Sequence, residues 1–335
     1  MKTIDIHAHL MPQSFWRAAE SGESWYGMRL EEINGRQFTT NGSRRDGVTS
    51  DKLNSTPSER IEDMDRQSVD IQVVSTATPM FGYDLDVQDG LALAHDINNE
   101  IYDMTTAWPE RFIGLGTLPM QDVPTAIGEL ERCMTDLGFK GAELDTVVNG
   151  KNWDEPEFLP LFQAAEDMGA VLFYHPQPNN NLVAETFAKY SMGNSFGVPL
   201  EDTLVVATLI LGGVLEKCPN LKVCVAHGGG AACFGMGRMD RGWQVRAEAR
   251  TNISRPPSTY QSQLYYDCIT MNERALRFLI DEVGIERVVL GSDWPYVAWD
   301  PSPVHWINSL ESLTEQEKEK ILWRNLEVLL DLDAA

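Results

Sequence analysis

The sequence predicts an α/β protein, a (β/α)8 TIM barrel with an insertion after the first strand. Strand-like and helical runs alternate along the chain, which is the order of a barrel of parallel strands. The strand-like runs are short and apolar, as expected for strands with both faces covered. Barrels of this kind often use about 250 or more residues as one unit. We therefore expect residues 1–335 to form a single domain.

Eight strands are expected, at residues 3–9, 70–75, 112–117, 141–144, 171–175, 223–227, 262–268 and 288–293. Helices are predicted from 57, at about 87–106, 122–136, 156–168, 200–216 and 272–282, and from 314 to the tail. Thr56 and Pro57 provide a cap and a first helical residue, and Gly138 stops a helix. A Thr-x-x-Glu capping box begins at Thr314. Residues 10–56 lack the barrel pattern and predict a small insertion or flap, and so long a loop is usually functional.

Composition limits the partners of the chain. Its net charge of −23 argues against nucleic acid or an anionic membrane as a partner. An anionic substrate would need specific arginines and a metal to overcome this charge. The five cysteines show no CxxC spacing and predict free thiols: Cys133, Cys218, Cys224, Cys233 and Cys268. With no signal peptide and no membrane span expected, the protein is predicted to be cytoplasmic.

Five side chains that bind metals are predicted at the ends of four strands: His7, His9, His175, His227 and Asp293. Strand ends meet at one mouth of a parallel barrel, so the set predicts a metal site there. Each signal alone has an ordinary explanation. A histidine can belong to the core, His227 and its three glycines can form a tight turn, and Asp293 can cap a helix. Four of the six histidines share these terminal positions, which makes the joint prediction stronger than its parts.

The donor types favour one mononuclear centre. Neutral imidazoles with one carboxylate suit Zn²⁺, Mn²⁺, Fe²⁺ or Co²⁺ rather than Ca²⁺. No lysine ends the fourth strand, where Glu143 and Asp145 stand instead, so a centre bridged by a carboxylated lysine is not expected. Glu143 remains open as a fifth ligand, as a partner of a ligand or as an ordinary carboxylate. It is left out of the metal set.

These motifs resemble the amidohydrolase superfamily, and more narrowly its 2-amino-3-carboxymuconate-6-semialdehyde decarboxylase branch. The resemblance rests on His7-x-His9, His175-Pro176, 226–230 and 292–295. Segments 111–120, 131–134, 137–141 and 212–217 are also similar to that branch. The resemblance implies a metal held by His7, His9, His175 and Asp293, with His227 as the acid/base that activates bound water. It also implies that Arg238 reaches the substrate carboxylate of a neighbouring subunit, which makes a homodimer the expected form.

The chain departs from the family pattern where the substrate is expected to bind. Asn194 stands in place of a loop tryptophan, and Tyr296 in place of a phenylalanine. Together with Arg238 and Trp294, these two residues are predicted to contact the substrate. Arg44 and Arg45 are candidates for an arginine of the insertion. The substrate is therefore expected to differ even where the chemistry is kept.

The predicted function is a metal-dependent, non-oxidative decarboxylase, a carboxy-lyase of an aromatic or unsaturated carboxylate. Substrates of the carboxymuconate semialdehyde or hydroxybenzoate type are expected, with Zn²⁺ as the first choice of metal and Mn²⁺ as the alternative. Asp293 or His227 would deliver the proton to carbon. The alternative is a metal-hydroxide hydrolase or hydratase acting on a related ring-cleavage product. A non-catalytic barrel would be expected to have a broken ligand set, whereas this set is complete.

Overall fold

A computed structural model describes residues 2–41, 44–177, 189–297, 299 and 301–332, with only the backbone of Arg44. The described strands are β1 Ile4–Leu10, β2 Arg29–Ile33, β3 Arg36–Asn41, β4 Arg44–Gly47, β5 Ile71–Thr76, β6 Phe112–Gly114, β7 Gly141–Leu144, β8 Val171–Tyr174, β9 Lys222–Val225, β10 Leu264–Asp267 and β11 Val288–Val289. The described α-helices are α1 Gln13–Glu20, α2 Pro57–Gln67, α3 Val87–Ala107, α4 Val123–Thr135, α5 Leu159–Met168, α6 Val198–Leu211, α7 Val214–Lys217, α8 Ala232–Val245, α9 Ser258–Gln261, α10 Glu273–Val283, α11 Pro303–Ser309, α12 Glu315–Glu319 and α13 Asn325–Leu329. A π-helical turn, Gly193–Gly197, precedes α6, and another, Lys320–Arg324, joins α12 to α13.

The predicted strands form two parallel sheets, in the orders β1-β5-β6 and β11-β10-β9-β8-β7. This confirms the α/β class and the presence of all eight expected strands. A parallel bridge between Gly116 and Ala142 joins one pair of sheet edges. A second parallel bridge, between Ala8 and Trp294, joins the other pair. The two sheets are therefore in contact at both edges.

Strand residues alternate between two layers of the core. Val171 and Phe173 of β8 pack in a cluster with Leu326 and Leu329 of α13 and with Leu330, which follows that helix. Leu172 and Tyr174 pack in the larger cluster, which includes the residues of the surrounding helices. Both faces of the sheet are thus covered, as the apolar runs predicted. His175 follows Phe173 at the same two-residue spacing, which brings it to the inner side of the strand end.

A β-bulge in β1 changes the direction of the first two ligands. Ile4 and Ile6 belong to the same cluster as Val171 and Phe173, on the inner side of the sheets. In a regular strand, His7 and His9 would point to the opposite side. The pairing of β1 with β5 shifts register between Asp5 and Ala8. A bulge inserts an extra residue and reverses the alternation beyond it. Both histidines can therefore point inward at the strand end.

The segment between β1 and α2 has regular structure of its own. It contains α1 and an antiparallel sheet in the order β2-β3-β4. The pairing places Thr39 opposite Asp46, and both side chains are buried. The strands β2 and β3 are otherwise largely exposed and carry polar residues, which explains why no strand was predicted there.

One helical stretch in the described part of the chain, Gly193–Leu211, is long and apolar enough to cross a membrane. Its α6 portion carries two buried carboxylates, Glu201 and Asp202, and packs within the protein. These contacts identify it as a core helix. The five cysteines are buried free thiols, as expected.

Candidate metal centre

Four side chains from three strand ends converge on one point. The ligand atoms of His7, His9, His175 and Asp293 all lie within 4.8 Å of one another. Asp293 Oδ1 is 3.3 Å from Nε2 of both His7 and His9, and 3.9 Å from Nε2 of His175. The structure thus brings together the four residues that the sequence predicted as ligands.

The hydrogen bonds of His7 and His9 involve Nδ1 of each ring and leave Nε2, the nitrogen that faces the centre, without a partner. His9 Nδ1 lies 3.1 Å from the carbonyl oxygen of Thr76, which only accepts, so Nδ1 carries the proton. His7 Nδ1 donates in the same way to Asp267 Oδ2, at 2.7 Å. Both Nε2 atoms are buried and have no hydrogen-bonding partner among the described residues. A divalent metal fits this arrangement, because each Nδ1 is fixed by its acceptor and each Nε2 is directed at the centre. Burial would lower the pKa of His7, but Asp293 and Asp267 raise it to about 9, so a metal would displace a proton from this ring.

The remaining two donors have protonation states that suit a cation. Burial and the neighbouring imidazoles of His9 and His7 hold the pKa of His175 well below its usual range. Burial alone would raise the pKa of Asp293, but the facing imidazoles of His7 and His227 hold it well below its usual range. His175 Nε2 and Asp293 Oδ1 are also buried without a hydrogen-bonding partner in the described residues. A neutral imidazole and an ionised carboxylate are therefore ready to bind a metal.

Asp293 is set in place by the residues before and after it. Asp5 accepts hydrogen bonds from the backbone and hydroxyl of Ser292, at 2.9 and 2.6 Å. Trp294 is only 3% exposed, and its indole donates to Asp63 Oδ2 of α2 at 2.6 Å. The guanidinium of Arg60 stacks on the Trp294 ring at 4.2 Å. The side chain of Trp294 thus points to α2 and supports the neighbouring Asp293, and its predicted contact with substrate stays a prediction.

His227 faces the centre from a turn of glycines. Its Nε2 lies 3.9 Å from Asp293 Oδ2, and its Nδ1 lies 2.9 Å from Asp202 Oδ2 of α6. Burial would lower the pKa of His227, but Asp202 and Asp293 raise it well above its usual range. Asp267 holds the next residue, since its Oδ1 accepts from Gly228 N at 3.0 Å. His227 is thus placed beside the four donors, with Nε2 on their side of the ring and Nδ1 toward Asp202.

Sequence reasoning missed Asp202 and Asp267. Asp267 ends β10, and the rule that strand ends carry the chemistry would have found it. Asp202 lies inside an apolar helix, and the only available signal was a carboxylate at a position expected to be buried.

Glu143 lies beside the centre without joining the four donors. Its Oε1 is 3.5 Å from His9 Nδ1, on the side of the ring away from the other ligand atoms. Burial raises the pKa of Glu143, although His9 opposes this shift. The Nδ1 proton of His9 goes to Thr76, and both carboxylate oxygens of Glu143 are buried without a hydrogen-bonding partner in the described residues, so its role stays open between ligand, partner of a ligand and ordinary carboxylate.

A cavity of about 600 Å³ opens at the centre, with Asn194, His227 and Asp293 in its wall. Tyr296 is not among the residues that line this cavity, and its ring centroid lies 5.5 Å from that of His9. Among the described residues that line this cavity, none is lysine or arginine. Arg238 of α8 is exposed and has no hydrogen bond or ion pair in the described part of the chain.

The arginines of the small sheet do not supply the missing cation in the described structure. Arg45 pairs with Glu31 at 3.5 Å on the exposed face of the sheet. The side chain of Arg44 lies outside the described residues, as does the segment 178–188 that follows His175.

Known proteins are similar to this chain in sequence and in fold. The amidohydrolase family matches residues 4–332. The 2-amino-3-carboxymuconate-6-semialdehyde decarboxylase of Dictyostelium discoideum is 34% identical over 333 residues, covering 98% of this chain and 92% of that protein. A gamma-resorcylate decarboxylase of a Polaromonas species is 26% identical over 291 residues, covering 82% of this chain and 87% of that protein.

A solved structure shows the same fold at lower identity. The dihydroxybenzoic acid decarboxylase from Polaromonas, with bound manganese and 2-nitroresorcinol, has a TM-score of 0.82 at 21% identity. The match covers 100% of this chain and 98% of that one. An α/β fold with a buried three-histidine, one-aspartate centre defines a metal-dependent enzyme class. Within that class, this chain belongs to the amidohydrolase family.

Proposed function

We propose that this protein is a metal-dependent, non-oxidative decarboxylase of an aromatic or unsaturated carboxylate. One observation carries the proposal. Four unpartnered donor atoms lie within 4.8 Å of one another, and an acid/base histidine faces the same carboxylate. This site occurs in a chain that aligns over 98% of its length with a decarboxylase. Substrates of the carboxymuconate semialdehyde or hydroxybenzoate type follow from the relatives.

The proposal includes a single domain in the form of a closed (β/α)8 barrel. The two edge bridges support closure, because they connect the chain just beyond β6 to β7 and the chain beyond β11 to β1. Zn²⁺ is the proposed ion, with Mn²⁺ as the alternative because a relative's structure holds manganese. When bound, the metal would act as a Lewis acid that polarises a substrate oxygen. His7, His9, His175 and Asp293 would hold it.

The residues around the metal are proposed to transfer the proton and to bind the substrate. His227 Nε2 holds the proton that replaces the carboxyl group, and Asn194 and Tyr296 form part of the substrate wall. The described wall of the cavity in one chain has no positively charged side chain to bind a substrate carboxylate. The net charge of −23 makes such a side chain more necessary. Arg238 of a second copy is proposed to supply it as a two-point donor. The active form is then a homodimer. The free thiols suit a reducing compartment, which supports a cytoplasmic location.

A direct assay tests the reaction. The purified protein is analysed for bound metal and supplied with 2-amino-3-carboxymuconate-6-semialdehyde and with 2,6-dihydroxybenzoate, while CO₂ and absorbance are recorded. We expect about one divalent metal per chain and release of CO₂ from one of the two substrates. An Asp293→Asn variant should lose turnover. Turnover without CO₂ would overturn the decarboxylase and favour water addition instead.

A subunit-mixing experiment tests Arg238. Arg238→Ala and His227→Ala subunits are each expected to be inactive alone. After mixing and exchange, some dimers would combine an intact Arg238 with an intact His227 at one site, and activity should return to roughly a quarter of the wild type. No recovery, with exchange verified by tagged subunits, would contradict a shared site.

A further inference from the structure

The side chain of Asp202 is directed at His227 alone in the described structure. Asp202 is 0% exposed, and its Oδ2 lies 2.9 Å from His227 Nδ1. Its Oδ1 is buried without a hydrogen-bonding partner among the described residues. A carboxylate buried in an apolar helix is costly unless it has a strong partner. The histidine is that partner.

The same helix also holds the backbone of the turn that carries His227. A Cβ atom at Gly230 would lie 1.8 Å from the carbonyl oxygen of Pro199 at the start of α6. Thr203 Oγ1 accepts from Ala231 N at 2.8 Å and donates to the carbonyl oxygen of Pro199 at 2.8 Å. The first turns of α6 therefore fix both the imidazole of His227 and the chain beyond it.

The contact determines which ring nitrogen is available. An ionised carboxylate only accepts hydrogen bonds, so His227 Nδ1 must carry a proton when it bonds to Asp202. The other nitrogen, Nε2, then faces Asp293 and the cavity wall, 3.9 Å from Asp293 Oδ2. Without Asp202, the ring could rotate or carry its single proton on either nitrogen.

We propose that Asp202 is the positioning residue for the acid/base His227, fixing a protonated Nδ1 so that Nε2 exchanges the catalytic proton. The inference rests on the proposed decarboxylase. In that reaction the bond between the ring or alkene carbon and the carboxylate carbon breaks, and a bond from that carbon to hydrogen forms. The substrate carboxylate plus one proton becomes the protonated product plus CO₂. The proton leaves His227 Nε2, which Asp202 keeps directed at the cavity through its hydrogen bond with Nδ1.

Three variants test the proposal by kinetics. Asp202→Asn should lower kcat by at least about 100-fold, while KM and the metal content per chain stay within about threefold of the wild type. Asp202→Glu keeps a carboxylate and should recover at least about tenfold of that loss. The exposed carboxylate variant Asp281→Asn is the matched control and should leave kcat unchanged. A kcat within threefold of the wild type for folded Asp202→Asn would overturn the proposal.

A second measurement needs neither substrate nor the Asp202 variant. In wild-type protein loaded with diamagnetic Zn²⁺ and labelled with ¹⁵N-histidine, the His227 signals are assigned by their loss in His227→Asn. We expect a directly bonded proton on Nδ1. An Nδ1 without a proton would contradict the role of Asp202 even if the variants fail to fold. Wild-type protein that releases no CO₂ but has this proton would overturn the proposed function and leave the positioning of His227 intact.

Discussion

His227 and Asp293 both have a left-handed backbone, with φ of 50° and 55°. Such a conformation in a residue with a side chain costs about 1–3 kcal/mol and persists only where the surroundings enforce it. Asp267 bonds to the residue after His227, and Asp5 bonds to the residue before Asp293. Two buried carboxylates beneath the site therefore hold the two residues whose direction matters most.

Asp267→Asn tests this support. The carboxylate uses both oxygens as acceptors, one for His7 Nδ1 and one for the backbone N–H groups of Gly228 and Ile269. An amide has a single oxygen, so one set of donors would meet an NH₂ group. We expect the metal affinity to fall by about 10–100-fold, measured by titration against a competing chelator. The exposed Asp65→Asn is the control, and an unchanged affinity in Asp267→Asn would contradict the argument.

At this scale the sequence predicted the ligands but not their supports. The position of a histidine that follows an apolar strand can be predicted, because the ends of parallel strands converge at one mouth of the barrel. Asp202 bonds to His227 and Asp5 bonds to Ser292, and both partners are distant in sequence. The residues around each aspartate give no sign of these pairs. The direction of Trp294 was also beyond the sequence, since an aromatic residue after a ligand fits either the cavity or the core.

At the scale of elements, α2 is attached to the metal centre through one tryptophan. Asp63 of α2 accepts the Trp294 indole, and Arg60 of α2 donates to the carbonyl oxygen of the ligand His9 at 2.9 Å. The helix thus contacts two of the three strand ends that carry the candidate ligands, from outside the site.

Trp294→Phe should therefore destabilise the protein through this attachment. Loss of the indole leaves Asp63 with one hydrogen bond fewer in a buried position, at a cost of about 1–3 kcal/mol. Trp323→Phe is a matched control, since its ring also stacks with an arginine, at 4.4 Å, but its indole N–H has no partner in the described residues. Urea unfolding of both variants checks the difference. Equal losses of stability would contradict a role for the Asp63 hydrogen bond.

Gly230→Ala tests the close contact between α6 and the glycine turn. Both Gly230 and Gly138 have a positive φ, but only at Gly230 would a Cβ atom meet backbone. Gly138→Ala therefore measures the cost of a positive φ without a close contact, whereas Gly230 also has a ψ of −123°, outside the left-handed helical region. We expect Gly230→Ala to lose about 1–3 kcal/mol more free energy of unfolding and to lower kcat. If the two variants unfold at the same denaturant concentration, the contact does not constrain the turn.

The elements themselves were largely predictable, and the exceptions have physical reasons. Buried parallel strands are apolar throughout, so their runs stand out in the sequence. The last strand ends at Val289, earlier than predicted, and Asp293 beyond it has the left-handed backbone described above. The sheet of β2, β3 and β4 is polar and exposed, and such strands have no apolar signature to detect.

At the scale of the whole molecule, the proposed metal would connect distant parts of the chain. Its candidate ligands are His7, His9, His175 and Asp293. Because metal binds the folded protein in preference to the unfolded chain, a concentration of 100 times Kd should add about 2.7 kcal/mol to the free energy of unfolding. Removal with a chelator should lower Tm by several degrees, measured by calorimetry. His7→Ala should lose this response and His305→Ala should keep it; a chelator-insensitive wild type would argue against a bound metal.

The proposed substrate wall and the proposed proton donor are connected through one helix. Asn194 lies in the turn that leads into α6, while Asp202 and Thr203 of the same helix hold His227 and the chain after it. A substitution that reshapes the wall for a new substrate will also move the acid/base. Double-mutant cycles between wall positions and Asp202 should therefore be non-additive. For evolution this means epistasis. A substitution in this helix that changes the preferred substrate would also change the reaction rate, so selection would act on both effects at once.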